Sequence, residues 1–391
     1  MVNNISIEAT VWQEVGPMPG TTPGTTPGKG FPGVVPGTYD LVVIGGGIIG
    51  TSAAIEYQQR HPSHAVLVLE RTAPPAGASM RNAGFACIGS LSEIAYDINL
   101  MGADRARDLV QRRWAGLQRL RERCGDDAIG FEENGGHEIF TTNHPALERL
   151  DEVNELLLPV FEHTMFERAD HLCDQLGFSN VQAMVRTPFE GTINSGLLVQ
   201  RLWTIAQDVG ITFQITEARD VQSADTHAHI TTNNGRIEAR NVVIATNAFP
   251  LGPSTDITPG RGQILVTSPV RGLPLRGSFH MDEGYVYFRN VGDRVLLGGG
   301  RNLAFAEEET SEFGTTDVIQ HYLEDLLRTT ILPSQVFSIE YRWSGIMGFR
   351  PDKQPLIEHI QPHTMRVFGC NGMGVALGST VAAEAVALLS D

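Results

Sequence analysis

Cysteine is scarce in this chain: Cys87, Cys124, Cys173 and Cys370 are scattered over 391 residues with no Cys-x-x-Cys pair. That argues against a disulfide scaffold, and reduced thiols in a cytoplasmic setting are expected. Long hydrophobic runs are missing too. No uninterrupted apolar stretch reaches the roughly 18 residues that span a bilayer, and the first residues lack the basic region and apolar core of a secretion signal, so neither membrane insertion nor export is expected. Positive charge is in short supply, with 29 Lys and Arg against 45 Asp and Glu and a net charge of −16. Such a surface repels phosphates, which argues against a nucleic-acid partner. His227 and His229 share one face of a hairpin strand, but no third ligand accompanies them at metal spacing. They read as solvated residues, and no metal is expected. Without a Gly-x-Ser-x-Gly elbow, a hydrolase has little support.

Glycine, by contrast, is abundant, with 42 residues, and three of them matter most. The apolar run Tyr39 to Ile44 leads straight into Gly45-Gly46-Gly47-Ile48-Ile49-Gly50, and Glu70 follows the third motif glycine by 20 positions. In such a turn Gly45 allows the tight bend, Gly47 lets backbone N–H groups approach a pyrophosphate, and Gly50 lets the next helix sit close to the sheet. The pyrophosphate then lies at the positive end of a helix starting near Ile48. Ile48, Ile49, Ala53, Ala54 and Tyr57 recur at helical spacing up to His61-Pro62. Ala65 to Leu69 then reads as a buried parallel strand. Glu70 ends that strand, where its carboxylate accepts hydrogen bonds from ribose hydroxyls. Strand, turn, helix, strand and acid in this order indicate a dinucleotide site.

With 41% hydrophobic and 19% charged residues the chain has material for two domains. Residues 16–37 hold 13 Gly or Pro in 22 positions and include two copies of Thr-Thr-Pro-Gly, so residues 1–37 read as an arm. Ile5, Ile7, Val11, Trp12 and Val15 either dock that arm on the body or belong to a disordered tail. A small-residue loop runs from Gly77 to Ala86. Helices are expected at 103–124, with seven arginines on a solvated face, at 146–158 closed by Pro159, and at 196–209 closed by Gly210. Strands are expected at 136–141, 211–215 and 228–232, the last joined through a type I′ turn at Asn234-Gly235 to Ile237–Ala239. A separate buried strand follows at Val242 to Ala248. Strands at 263–267, 285–290 and 295–297 and a helix at 317–327 suggest a mixed sheet, and glycines before the Ala-rich helix 376–389 supply a second anion-stabilising helix start. The strand comparable to the first pair returns only at Val242, so a second domain is inserted.

On these segments the chain resembles the FAD-dependent D-amino-acid oxidase superfamily, especially its glycine oxidase and sarcosine oxidase branch. The likeness runs over most of residues 38–391. It rests on the glycine turn with Glu70-Arg71, on Ser79 to Gly84, on Val242 to Ala248, on Gly298-Gly299, on Trp343 to Asp352 and on Asn371 to Gly374. It implies an α/β fold: a Rossmann-type FAD-binding domain from residues 38–97, 193–257 and 343–391. A discontinuous α+β substrate domain, on a mixed and largely antiparallel sheet, would comprise 98–192 and 258–342. By the same resemblance Gly45, Gly47, Ile48, Ile49, Gly50, Glu70 and Arg71 hold the ADP half of FAD. Ala78, Ser79, Arg81, Asn82, Ala83, Gly84, Gly372, Met373, Gly374 and Val375 surround the flavin ring, Ala218 meets the adenine, and Thr246 and Asn247 complete the cofactor set. No cysteine lies between Trp343 and Arg350, which implies non-covalent FAD.

The resemblance also implies a reaction, the oxidation of a small primary or secondary amine or amino acid by hydride transfer to the flavin, with O2 as acceptor. Arg350, in Gly348-Phe349-Arg350-Pro351-Asp352, would clamp the substrate carboxylate, or it is a surface arginine paired to Asp352. Tyr285 and Tyr287 would serve the substrate or simply pack an aromatic strand, and Cys87 and Cys370 read as buried small hydrophobes. Two alternatives stand beside this reading: a flavin dehydrogenase of the same fold using a quinone or other carrier, and a non-catalytic FAD-bearing binding protein.

Overall fold

The computed structural model describes residues 9–12, 37–249, 251–252, 257–368 and 370–389. The Gly/Pro-rich segment 16–36 lies outside the described residues.

Two eight-stranded sheets organise the chain. The first has the order Leu356–Gln361, Thr364–Phe368, Gly235–Ile244, Thr38–Ile44, Val66–Glu70, Thr212–Ile215. Its five inner and right-hand strands run parallel. Both faces of the central pair are buried, which is why their sequence is continuously apolar rather than alternating. Leu41, Val43 and Val68 face the helix Ile48–Arg60, while Val42, Ile44, Leu67 and Leu69 face Ile230, Ile237 and Ala239 of a hairpin laid across the other side. That hairpin extends the sheet through Ala218–Ser223 and Ala228–Thr232.

The second sheet has the order Ile339–Phe349, Thr258–Thr267, Arg294–Gly299, Val286–Val291, Ser278–Met281, Gly136–Phe140, Ala183–Thr187, Glu167–Arg168. Only the Ser278–Met281 and Gly136–Phe140 pair is parallel among its ladders. The expected mixed, largely antiparallel sheet is present, and the fold class is α/β. Close helix packing braces the two long helices. A Cβ at Gly116 of Ala103–Cys124 would stand 2.1 Å from the Ala376 carbonyl oxygen on Gly374–Ala387, so only glycine fits there.

Several local expectations are corrected. Ile237–Ala239 and Val242–Ile244 belong to one strand, Gly235–Ile244, because it pairs with Thr38–Ile44 along its length. The turn before it is not type I′. Thr232 pairs with Gly235, and neither loop residue, Asn233 or Asn234, takes a positive φ. The Thr232 hydroxyl closes the turn instead, accepting from Asn234 N and donating to Gly235 O. The helix expected to stop at Pro159 runs Leu150–Phe161, held by Phe161 against Trp114 and Phe189. A helix at Leu91–Met101, capped by Ser90, had no counterpart in the sequence reading. Trp12 is 1% exposed and its Nε1 donates to Asn82 O at 2.8 Å, so the arm docks on the body at this point.

Not every arginine of the helix 103–124 lies on a solvated face. Arg113 is 1% exposed, donating to Ile88 O at 3.1 Å and lying 2.9 Å from Glu93 and 4.0 Å from Asp97. Arg119 and Arg123 both hold Glu56 at 2.6 Å. Burial alone would raise the Glu93 carboxyl, but Arg113 together with Lys353 and His280 outweighs it and keeps it below its ordinary value. Removing one member of such a set strands the others. Arg113→Ala should therefore cost about 3–5 kcal/mol of stability in urea unfolding, whereas Arg107→Ala, whose ion pairs among the described residues are with exposed Asp104 and Asp108, should stay within about 0.5 kcal/mol.

Candidate active site and cofactor cleft

The strand Thr38–Ile44 ends in a turn that only glycines can make. Gly45 has φ +112°, and a Cβ there would stand 2.5 Å from Ala245 O; at Gly50 it would stand 1.9 Å from Gly45 O. The helix beginning at Ile48 has no capping side chain on its N-cap residue Gly47, and Ile48 N donates to Ser79 Oγ at 3.0 Å. Its first turn opens on a cavity of about 640 Å3. Glu70 reaches back across the turn, accepting from Gly46 N at 2.8 Å and Thr72 N at 3.2 Å. Burial raises its carboxyl above the ordinary value, and those two N–H groups oppose the rise.

A second wall is the loop Gly77–Gly84. Asn82 saturates it from within, taking Gly84 N and Ser195 Oγ on its oxygen and giving its amide to Ala78 O and Ser79 O. Arg81 donates to Ser344 O at 2.6 Å and lies over Phe313. A third wall is the start of the helix Gly374–Ala387, whose N-cap, Met373, also supplies no capping side chain. Two helix N-termini thus face one cleft, a setting that favours anionic groups.

The cleft brings together nearly every residue singled out in the sequence. Gly45, Gly47, Ile48, Ile49, Glu70, Arg71, Ala78, Ser79, Arg81, Asn82, Ala83, Ala218, Thr246, Asn247, Gly372, Met373, Gly374, Val375, Tyr285, Tyr287 and Arg350 all line it. Gly50 and Gly84 stand behind the wall, Gly50 under the turn and Gly84 against Ile193 O and Arg289. Arg350 gives Nη1 to Gln354 O at 3.0 Å and lies 3.5 Å from Asp352, so its guanidinium is already engaged. Desolvation of partly buried Tyr287 pushes its phenol up to about 12 and keeps it neutral. Tyr285 precedes its strand in a helical conformation rather than joining the alternation.

Several lining residues were not anticipated. Arg301 follows Gly298–Gly300 and lies over the rings of Phe349 at 4.0 Å and Phe305 at 4.9 Å. Among the described residues its side chain makes no hydrogen bond or ion pair, and burial outweighs the nearby Tyr285, Glu308 and Glu309 and lowers its pKa from the usual arginine value. Its one sequence signal is an arginine directly after glycines at a strand end. His280 is held 3.1 Å from buried Glu190, which also accepts from Ile88 N, Gly89 N and Ser278 Oγ. Burial would lower the imidazole, but Glu190 raises it above the ordinary value. On the same side Lys353 pairs with Asp97 at 2.5 Å. Burial pushes the Cys370 thiol up to about 12 and Cys87 well up too, so both stay protonated, in keeping with small buried hydrophobes.

The chain matches the FAD dependent oxidoreductase family over residues 40–388. It belongs to that family. Within the family it is 25% identical over 365 residues to the glycine oxidase of Geobacillus kaustophilus (strain HTA426), covering 87% of each chain. The crystal structure of glycine oxidase from Geobacillus kaustophilus shares its fold at a TM-score of 0.72 and 21% identity, over 90% of this chain and 96% of that one. L-Proline dehydrogenase from P. horikoshii does so at 0.72 and 18%, over 90% and 94%. The cleft fits the family's FAD. Two helix starts whose N-cap residues supply no side-chain cap suit a diphosphate, Gly45 and Gly47 let the chain pack tightly against Ala245 and Ser79 at the turn, and Glu70 at the end of Val66–Glu70 suits a ribose.

Two outcomes test this geometry. Gly50→Ala drives a methyl into Gly45 O and should abolish FAD retention, read as flavin absorbance per chain after gel filtration. His280, with a raised folded pKa, contributes stability that is full below about pH 6.5 and is lost as pH rises through the folded value. Glu190→Gln should flatten that fall in a plot of melting temperature against pH.

Proposed function

We propose that the chain oxidises a small carboxylate-bearing amine, an amino acid or its N-alkyl derivative, with non-covalently held FAD and with O2 as electron acceptor, in the cytoplasm. The carrying observation is Arg301, a guanidinium fixed between two phenyl rings on the cleft wall with no protein anion on its N–H edge among the described residues. Stacking restrains the plane of the guanidinium, and its in-plane donors match a carboxylate. FAD, when bound, takes up the hydride lost from the substrate α-carbon.

The chain's own groups do the rest. Arg301 anchors the carboxylate and so fixes the direction of the Cα–H bond, with Arg350 as a second cation nearby on the same wall. Tyr287 stays a neutral phenol at neutral pH, and Tyr285 and Phe349 line the cleft beside it. The substrate enters with a neutral amine, whose lone pair assists as the hydride leaves, and the imine product is hydrolysed by water. The two sheets support a division of labour in which the mainly parallel one carries the cofactor and the other the substrate. Four free cysteines support a reducing compartment.

A panel of amines and amino acids, mixed anaerobically with the protein and followed by flavin bleaching near 450 nm, tests the reading. Carboxylate-bearing amines should bleach the flavin and amines without a carboxylate should not. Arg301→Leu should raise half-saturation for the best substrate about 10- to 150-fold, equivalent to the ~1.5–3 kcal/mol of a hydrogen bond to a charged group. Arg350→Leu should have the smaller effect. Unchanged half-saturation in Arg301→Leu removes it from the site, and a bleached flavin that air does not restore excludes O2 as acceptor.

A further inference from the structure

We propose that the hairpin on the first sheet binds one first-row divalent cation, zinc or a near neighbour, through His227 and His229, with Glu238 completing the set. Strand register creates the cluster. His229 lies directly opposite Glu238 on the neighbouring strand, and His227 is two positions before it on the same face. The Nε2 atoms of the two histidines stand 3.1 Å apart with their rings near perpendicular, at 88°. Glu238 Oε1 is 3.4 Å from His229 Nδ1, and one ligand atom from each of the three residues falls within 4.8 Å of the others.

Two Nε2–H groups cannot point at each other across 3.1 Å, so at least one nitrogen presents a lone pair. Each Nδ1 has an oxygen beside it, Thr226 Oγ1 at 3.0 Å and Glu238 Oε1 at 3.4 Å. A hydroxyl at His227 Nδ1 is compatible with the Nδ1–H tautomer that turns the His227 Nε2 lone pair toward His229, and His229 Nδ1 has no hydrogen bond that would oppose the same tautomer. Nitrogen ligands about 2.0–2.1 Å from a tetrahedral cation are about 3.3 Å apart, close to the spacing found. Imidazoles with a carboxylate and no thiolate select zinc, copper or nickel over calcium or magnesium. The Glu238 side chain is 47% exposed, so the cation has a path from solvent.

The site is coupled to the cleft edge. Asn233, in the turn of the same hairpin, accepts from Thr216 Oγ1 and Glu217 N, and Thr216 to Ala218 line the cleft. The cation would clip the hairpin that holds this edge.

Equilibrium dialysis of the FAD-loaded full chain against zinc should show one equivalent bound. That equivalent should persist in Cys87→Ser, weaken at least tenfold in Glu238→Gln and disappear in His227→Gln/His229→Gln. Flavin content and metal-free melting temperature should be unchanged in the double variant, and cobalt in place of zinc should give visible bands without a thiolate charge-transfer band. No uptake, or equal uptake by the double variant, overturns the proposal. Uptake lost in Cys87→Ser also overturns it, by assigning the cation to the Cys87, Glu190 and His280 cluster in the cleft.

Discussion

The loop Gly77–Gly84 has almost no ladder to lean on, and the cleft depends on side chains that reach its carbonyl groups from far away in sequence. Trp12 Nε1 takes Asn82 O, Trp343 Nε1 takes Arg81 O, and Arg289 Nη1 takes both Gly84 O and Ile193 O. Arg81 returns the favour by donating to Ser344 O beside Trp343. The loop bonds partly to itself, Met80 N to Gly77 O and Arg81 N and Asn82 N to Ala78 O, and the carbonyls left over are satisfied from behind. Burial keeps these donors in place. It also lowers the Arg289 pKa to about 10, which leaves the guanidinium charged at neutral pH.

The cleft has two chemical halves. The half built on the first sheet consists of backbone, glycines and helix starts, with Glu70 as its main charge. The other half is built from ionised side chains, and most of these are committed to each other: Arg113 with Glu93, Lys353 with Asp97, His280 with Glu190. Pairing is what makes their burial tolerable. Arg301 is the exception, because its neighbours are aromatic faces, which satisfy a cation without occupying its N–H edge.

Features written into adjacent residues were legible. The run Leu41–Ile44 followed by three glycines, the acid closing the next strand, and the small-residue loops fixed both the fold class and the location of the cleft, because strand period and turn chemistry are local. Features that depend on register or on distant partners were not. Nothing near Arg113 distinguishes it from the six other arginines of its helix; Glu93 and Asp97 come from a preceding helix that was itself overlooked. Glu238 becomes a neighbour of His229 only once the hairpin register is known. Arg301 gains its meaning from Phe305 and Phe349, one four residues away and the other forty-eight.

Trp12 illustrates how time enters such a fold. Its apolar socket consists of Val11, Ala83, Ile264, Val266, Leu296 and Trp343, drawn from the beginning, the first third and the last third of the chain. On a ribosome Trp12 emerges 331 residues ahead of Trp343, yet its seat is incomplete until Trp343 has been made. Trp12 thus finds its place long after it is made, and the loop it steadies can be locked only once Trp343 exists.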